Sequence, residues 1–352
     1  MKRVAQKIFM VGLLLCLAVT VNGATNKEGG KKYRIVLCNS YMGNDWRQEM
    51  EKVVAVVATK SPYKERVELR IVNTENTPEA QSASIDALAQ QGCDAILVDG
   101  ASPTALNPSI ERAIKAGIVV VSFDQVVTAP GAWKVETDFQ KMPLAWANFV
   151  AKSIKGKGNI IFDRGMPGAS ISLAINKVAK DVFKKYPGIK IVGEFDGKYA
   201  DGPVEQGVSS VLAANPKIDA VFSQGYAEPI IRAFKAQNRP VVPMCVWNTN
   251  GGMVALAEGN YKGLVGNNLP GLGAIALKTA VGILDGKKPA KHILINPQFS
   301  TTDESIDLGV GYKAEKIEIG KNCFKDLPPA LDWPVLPNDF GVTLTPQEIV
   351  NQ

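Results

Sequence analysis

Aromatic rings and hydrogen-bonding side chains stand together in the segments that follow several apolar runs of this sequence. The segment NSYMGNDWRQ, residues 39–48, follows the first such run, and Asp124 and Gln125 come directly after IVVVSF. Aromatic rings pack on the C–H faces of sugars and polyols, while carboxylates and amides bind the hydroxyls. Only one of the adjacent Trp247 and Asn248 is expected to face inward. The residues that we predict to bind a small polar molecule are Tyr41, Asn44, Asp45, Trp46, Arg47, Asp124, Gln125, Tyr199, Tyr226, Trp247, Asn248 and Asn268.

Structural roles are the alternative for several of these side chains. Trp46 could pack at the start of the first helix, and Asp45 could be a first-turn acid that complements the helix dipole. Arg47 could be a solvated helix residue. Asp124 could cap a turn, although its place after a wholly apolar strand favours a binding role. Tyr199 could belong to the core at the edge of a lobe.

Motifs for catalysis and for cofactors are missing from the sequence. It contains no GxSxG elbow and no P-loop, and its one histidine, His292, lies in the run KHILI, which we predict as a strand. GLGAIA, residues 271–276, matches the dinucleotide fingerprint in form, but no acidic residue that ends a strand follows at the required spacing. No Cys and His spacing suggests a metal site. We therefore predict no catalytic residue, no metal and no cofactor, and we expect that the chain is not an enzyme.

The composition is that of an ordinary globular protein. The 352 residues are 46% hydrophobic and carry a formal net charge of +6, without a dense basic run. Nucleic-acid binding would need clustered Lys and Arg together with a recognition module, so we expect no nucleic-acid partner. The length is typical of two lobes rather than one domain.

The first 24 residues predict a cleaved secretory signal peptide. Lys2, Arg3 and Lys7 give a positive start, Ile8–Val21 is almost entirely apolar, and small residues lead to Ala24. A membrane anchor is the alternative, but this apolar run of about 14 residues is shorter than the roughly 20 that a spanning helix needs. The mature protein is therefore expected in the periplasm.

The cysteines are compatible with export but do not predict a disulfide framework. Cys16 follows Leu15, where a lipoprotein signal would have a small residue, which disfavours that variant. Four cysteines remain after cleavage, and one disulfide among three pairings is possible. Buried free thiols are the favoured alternative, since three of the four adjoin predicted strands. These residues are Cys38, Cys93, Cys245 and Cys323.

Short β-branched runs alternate with longer amphipathic segments from Tyr33 onward. Runs such as AILV, residues 95–98, are apolar on both faces, which is typical of parallel strands covered by helices on both sides. The pattern restarts near residue 144, which predicts an α/β fold of two similar lobes with parallel sheets. Beyond Gly311 the chain is rich in proline, so we expect an irregular tail on the surface or across the hinge.

Four segments carry a resemblance to a known family. They are KYRIVLCNSYMGNDWRQEM, GCDAILVDGASPTALNPSIERAIKAGIVVVSFDQ, KYPGIKIVGEFDGKYADGPVEQGVSSVLAANPKIDAVFSQG and LPGLGAIALKTAVGILDGKKP. From about Tyr33 to Tyr312 the chain resembles the type I periplasmic solute-binding proteins of ABC transporters, in particular the ribose-binding-protein-like group. The resemblance implies two Rossmann-like lobes joined by three crossings, near Asp138, Leu269 and Pro297.

The same resemblance sets the expected lobe boundaries. The signal peptide is expected at residues 1–24. The N-terminal lobe is expected at residues 32–138 plus 269–297, and the C-terminal lobe at residues 139–268 plus 298–312. A proline-rich tail, residues 313–352, completes the chain.

The family's binding positions carry over unevenly. By the resemblance, Trp46 is the stacking aromatic, Asp124 grips sugar hydroxyls and Asn268 binds as an amide. An arginine is usual where Gln125 stands, and another where Ser172 and Leu173 stand; the resemblance thus adds Ser172 to the expected site. The acid usual near Asn248 and the amide usual near Gly225 are also missing. These departures imply a neutral ligand other than ribose.

The expected function is that of an exported, monomeric binding protein that delivers a small sugar or polyol to the membrane permease of an ABC importer. A sensory role, with presentation of a sugar-like signal to a chemoreceptor or sensor kinase, is the alternative. An enzyme on a similar fold lacks support, because a nucleophile here would have no base. A sugar-responsive repressor would need a helix-turn-helix where the predicted signal peptide lies.

Overall fold

A computed structural model describes residues 32–168 and 170–352 of the protein. The predicted signal peptide, residues 1–24, lies outside the described residues. The first half of the fold consists of β1 (Tyr33–Asn39), α1 (Asp45–Ala58), β2 (Val67–Asn73), α2 (Pro78–Gln91), β3 (Ala95–Asp99), α3 (Asn107–Lys115), β4 (Val119–Phe123) and β5 (Trp133–Thr137). The next elements are α4 (Lys141–Ser153), β6 (Lys157–Asp163), α5 (Ser170–Phe183), β7 (Gly188–Phe195), α6 (Asp201–Ala214), β8 (Ala220–Phe222), α7 (Ala227–Ala236), β9 (Met244–Trp247), α8 (Asn250–Glu258) and β10 (Gly263–Asn267). The last are α9 (Leu272–Leu284), β11 (His292–Ile295), β12 (Gln298–Thr301), β13 (Glu315–Lys316) and α10 (Pro346–Val350).

The strands form two sheets, which confirms the predicted α/β fold. The first sheet has the order β11-β5-β4-β3-β1-β2 and is parallel throughout. The second has the order β13-β12-β10-β9-β8-β6-β7 and is parallel except where β12 runs antiparallel to β10. Every residue of β3 is buried, as expected for a strand with helices on both faces.

Three of these strands, β5, β12 and the two-residue β13, were not predicted from the sequence. The segments WKVET of β5 and QFST of β12 carry few apolar residues, so neither shows the apolar run that marks a buried strand. These segments become strands because their backbones hydrogen-bond to neighbouring strands of the sheets. β5 lies between β4 and β11, and β12 adds to the edge of β10.

Local signals set the helix ends. Thr77 caps α2 by accepting a hydrogen bond from the Ala80 amide, and Gly92 ends the helix with a φ of 76°, in the left-handed region that glycine favours. The Asn44 side chain caps α1 by accepting from the Arg47 amide at 2.8 Å. This cap sets where α1 begins, and therefore where its first-turn side chains point.

The chain passes between the two sheets at residues 138–140, 268–271 and 296–297, and the C-terminal tail passes once more. Ile317 and Cys323 are buried in a core of the second sheet, whereas Leu331 and Val335 are buried in the core formed by α1, α9 and the first sheet. The tail is irregular apart from β13 and α10, and it crosses between the sheets. The lobe boundaries stay a prediction.

The four cysteines of the described chain are free thiols. Cys38, Cys245 and Cys323 are buried, and burial raises the pKa of each thiol. These cysteines therefore pack as small apolar side chains.

Candidate functional site

Asn268 brings three of the predicted binding residues together. It lies in the passage from β10 to α9, and its Nδ2 donates to Asp124 Oδ1 at 3.0 Å. The Trp46 indole Nε1 donates to the Asn268 carbonyl at 2.6 Å. Thr137, at the end of β5, donates to Asn268 Oδ1 at 2.5 Å. An aromatic ring, a carboxylate and an amide from three separate elements are thus held in one network.

Thr137 was missed by the sequence analysis because its strand was missed. Asp124 directly follows β4 and has a φ of 53°, so the chain turns there in the left-handed region. Both residues lie at the carboxyl end of the first sheet, where parallel α/β sheets bind ligands.

Arg47 is buried beneath this network and is not a solvated helix residue, since its side chain is only 2% exposed. Its Nη1 donates to Asn39 Oδ1 at 2.5 Å and to Ser40 Oγ at 3.0 Å, and it forms an ion pair with Asp99 Oδ2 at 2.9 Å. Asn39 and Asp99 end β1 and β3, so one guanidinium joins two strand ends. These partners were not predicted as site residues.

The positive charge of Arg47 lowers the pKa of two neighbouring buried carboxyls, Asp124 and Asp99, against the effect of burial. Burial raises the pKa of Asp124, while Arg47 and the hydrogen bond from Asn268 oppose that rise. Burial also raises the pKa of Asp99, with Arg47 lowering it and Asp124 raising it further. A single cation therefore supports two carboxylates, and it favours the ionised form of Asp124.

The other predicted binding residues near the start of α1 are more exposed than Arg47. Asn44 is exposed and serves as the helix cap, and Asp45 is exposed in the first turn. The Arg47 guanidinium lies 5.1 Å from the centroid of the Tyr41 ring, in cation–π contact. With its amide oriented as hydrogen bonding favours, Gln125 accepts from Arg47 Nη2 at 3.1 Å.

A second polar group lies at the carboxyl end of the second sheet. Ser172 shares a hydrogen bond with the Tyr199 hydroxyl, which also donates to Gln224 Oε1 at 3.4 Å. Gln224 Nε2 donates to Asn176 Oδ1 at 2.7 Å. Gln224 is fully buried and was not predicted, although its place two residues after the end of β8 was a signal for it.

Asp163 holds the loops that carry this second group. It ends β6 and accepts hydrogen bonds from the amides of Gly165, Gly197 and Gln224 and from Ser223 Oγ, at 2.7 to 3.1 Å. Burial raises the pKa of Asp163, and these hydrogen bonds oppose the rise. Because protein donors occupy both of its oxygens, Asp163 positions these loops.

The remaining predicted residues point in different directions. Trp247 packs edge-on against Trp146, with ring centroids 4.8 Å apart, in the core of the second sheet. Asn248 is 5% exposed and donates to the Trp333 carbonyl at 3.2 Å, so its amide holds the C-terminal tail. Tyr226 is half-buried at the start of α7.

Neither a metal-binding cluster nor a membrane-spanning helix is found in the part of the chain that the structure describes. Residues 32–168 and 170–352 contain no group of three or more His, Cys, Asp or Glu side chains placed to hold a metal ion. Within the same residues, no helix has the length and apolar character that crossing a bilayer requires.

Comparisons with known proteins agree with this architecture. A model of the periplasmic binding protein domain matches residues 35–288. The chain is similar to the xylitol-binding protein of Mycolicibacterium smegmatis, with 24% identity over 252 residues that cover 69% of this chain and 71% of that protein. It is also similar to the ribose import binding protein of Bacillus subtilis, with 26% identity over 306 residues that cover 83% and 97%.

Among solved structures, an ABC transporter solute binding protein from Thermobispora bispora matches with a TM-score of 0.65. The match has 27% sequence identity and covers 76% of this chain and 84% of that one.

Proposed function

Because this chain belongs to the periplasmic binding protein domain family, we propose that it captures a small neutral sugar or polyol in a cleft between its two lobes and delivers it to an ABC importer. The family consists of binding proteins rather than enzymes. In this proposal the ligand lies between the carboxyl ends of the two sheets, and the lobes close on it about the crossings.

The network centred on Asn268 carries the proposal. Trp46 offers an aromatic face for the C–H surface of a sugar or polyol, and Asp124 offers a charge-supported acceptor for its hydroxyls. Because Asn268 lies on a crossing between the sheets, this network couples ligand contact to the segment about which the lobes would move. Arg47 favours the ionised form of Asp124, which accepts stronger hydrogen bonds than a neutral group.

The ligands of the relatives support the chemical class. One relative is a xylitol-binding protein and another a ribose import binding protein, and both ligands are small polyhydroxylated molecules. The departures from the ribose-binding pattern at Gln125 and Ser172 favour a different member of that class here.

Delivery to an importer requires export, which the predicted signal peptide would provide. We propose a periplasmic location and a membrane permease of an ABC transporter as the partner. Presentation of the same closed form to a chemoreceptor or sensor kinase stays an alternative prediction, as does the monomeric state.

A thermal-shift screen of the mature protein tests the proposal. The panel contains pentoses, hexoses, pentitols, hexitols and myo-inositol, and amino acids serve as controls. A ligand at one hundred times its Kd adds about 2.7 kcal/mol to the free energy of unfolding, so a cognate compound should raise Tm by several degrees. If no sugar or polyol shifts Tm while an amino acid does, the proposed ligand class is wrong.

A further inference from the structure

The C-terminal segment 328–335 lies along the carboxyl edge of the second sheet. Asn248, directly after β9, donates to the Trp333 carbonyl at 3.2 Å, and Asn267, at the end of β10, donates to the Pro334 carbonyl at 2.8 Å. The Gly271 amide donates to the Val335 carbonyl at 2.8 Å. These bonds hold the segment beside the passage that contains Asn268.

The same segment contacts α1, the helix that carries Trp46. The Asp332 amide donates to Glu49 Oε2 at 2.9 Å. Glu49 is three residues after Trp46, so the two side chains lie on neighbouring positions of one helix face. Asp332 is therefore held between α1 and the second sheet, next to the proposed binding network.

Three buried acceptor oxygens in this region have no hydrogen-bond partner among the described residues. They are Glu49 Oε1, Asp332 Oδ1 and Asn267 Oδ1. Glu49 and Asn267 are only 7% and 4% exposed. Leaving a buried polar oxygen unpaired costs stability. Glu49 also lines a cavity of about 160 Å³ between α1 and the tail.

Asp332 interacts electrostatically with acids of α1 and with Tyr226 of the second half of the fold. Burial raises the pKa of Glu49 to about 8, with the Asp332 amide and Lys52 opposing the rise and Asp45 adding to it. Burial, Glu49 and Asp45 raise the pKa of Asp332. Burial raises the pKa of Tyr226 as well, and Asp332 and Asp45 raise it further. Asp332 thus lies near two predicted binding residues, Asp45 of α1 and Tyr226, which directly precedes α7.

We propose that Asp332 is a ligand-binding residue carried by the C-terminal segment, and that its unpaired oxygen accepts a hydrogen bond from a donor group of the bound molecule. The inference rests on the proposed function and refines its ligand class. A hydroxyl or an ammonium group is a donor and fits this acceptor set. A carboxylate or a phosphate placed against Asp332 adds negative charge and no donor, so we expect sugar acids and sugar phosphates to bind more weakly than the neutral sugar.

The test compares Asp332→Asn with the wild type by calorimetric titration, using the best sugar or polyol from the panel. Asp339→Asn, an exposed acid of the same tail, is the matched control. We expect Asp332→Asn to weaken binding by about tenfold to a hundredfold, because an NH₂ group replaces a carboxyl oxygen and cannot accept the hydrogen bond of the ligand. Asp339→Asn should bind like the wild type. The uronic acid of the bound sugar should bind more weakly than the sugar itself, and equal affinity would contradict the acceptor role of Asp332.

The melting temperature of the ligand-free variants gives a second readout. Asp332→Asn removes a carboxyl whose ionised form is destabilised by burial and by Glu49, so the Tm of this variant should equal or exceed that of the wild type. A purely structural role of Asp332 predicts a lower Tm. Wild-type affinity in Asp332→Asn, or a lower ligand-free Tm, overturns the inference while the proposed function stands. If no panel member binds the wild type, the proposed function fails, and the ligand-free Tm of Asp332→Asn still tests the structural alternative.

Discussion

Arg47 shows how one side chain organises the candidate site. It joins Asn39, Ser40 and Asp99 at the ends of two strands, and its charge opposes the effect of burial on Asp124. These acceptors, together with the ion pair to Asp99, offset the cost of burying the guanidinium. Arg47 thus positions its neighbours, and in the proposed function Asp124 is an acid that contacts the ligand.

Substitution of Asp124 tests that division of roles. Asp124→Asn removes the charge but keeps the size, and we expect calorimetry to show affinity for the confirmed ligand lowered by about tenfold to a hundredfold. Glu68→Gln, an exposed acid of β2, is the matched control. Equal affinity in the Asp124→Asn and Glu68→Gln proteins would remove Asp124 from the site.

At the scale of elements, α1 connects the network, the buried cation and the tail. Its first turns carry Trp46, Arg47 and Glu49, and the Asn44 cap sets their direction. The periodicity of the sequence predicted this helix and its place after β1. It could not predict that Glu49 would meet Asp332, because that contact joins residues 283 positions apart.

The acid pair at this contact makes stability depend on pH. Because the folded state raises the pKa of Glu49 to about 8, the folded protein holds a proton there that the unfolded chain loses near its ordinary value, about 4.3. The stabilisation is therefore complete at low pH and is lost as pH rises to about 8. Urea unfolding of the ligand-free protein should show this fall between pH 5 and 8, and Asp332→Asn should reduce it, because Asp332, whose own pKa is raised by burial and by Glu49, contributes to the same fall. Parallel pH profiles for the two proteins would contradict the coupling.

At the scale of the whole molecule, the tail adds one more connection between the sheets. Asn250, at the start of α8, donates to the carbonyls of Phe324, Leu327 and Pro328 and accepts from the Phe324 amide, at 2.7 to 3.2 Å. The apolar side chains that follow are buried with α1 and α9. A tail held at both sides restricts how far two lobes can separate.

Removal of the Asn250 amide tests this attachment. Asn250→Ala leaves several backbone groups of the tail unpaired, so we expect a loss of about 1–3 kcal/mol in the free energy of unfolding, measured with urea. Asn338→Ala, which removes an exposed amide of the same tail, should change it by less than about 0.5 kcal/mol. Similar stability in both variants would show that the tail attachment contributes little.

Much of the fold was predictable because parallel strands buried on both faces leave clear apolar runs, such as β3 and β4. Rules for strand ends also identified Trp46, Asp124 and Asn268, which the structure joins in one network. The tail could not be placed, because a proline-rich segment has no period and its position depends on single hydrogen bonds from distant asparagines.

The most direct test of the central claim is a crystal structure of the mature protein with the best ligand of the panel. We predict one molecule per chain between the two sheets, with the Trp46 ring against a C–H face and hydroxyls about 3 Å from Asp124 and Asn268. A ligand bound away from all three residues would contradict the account.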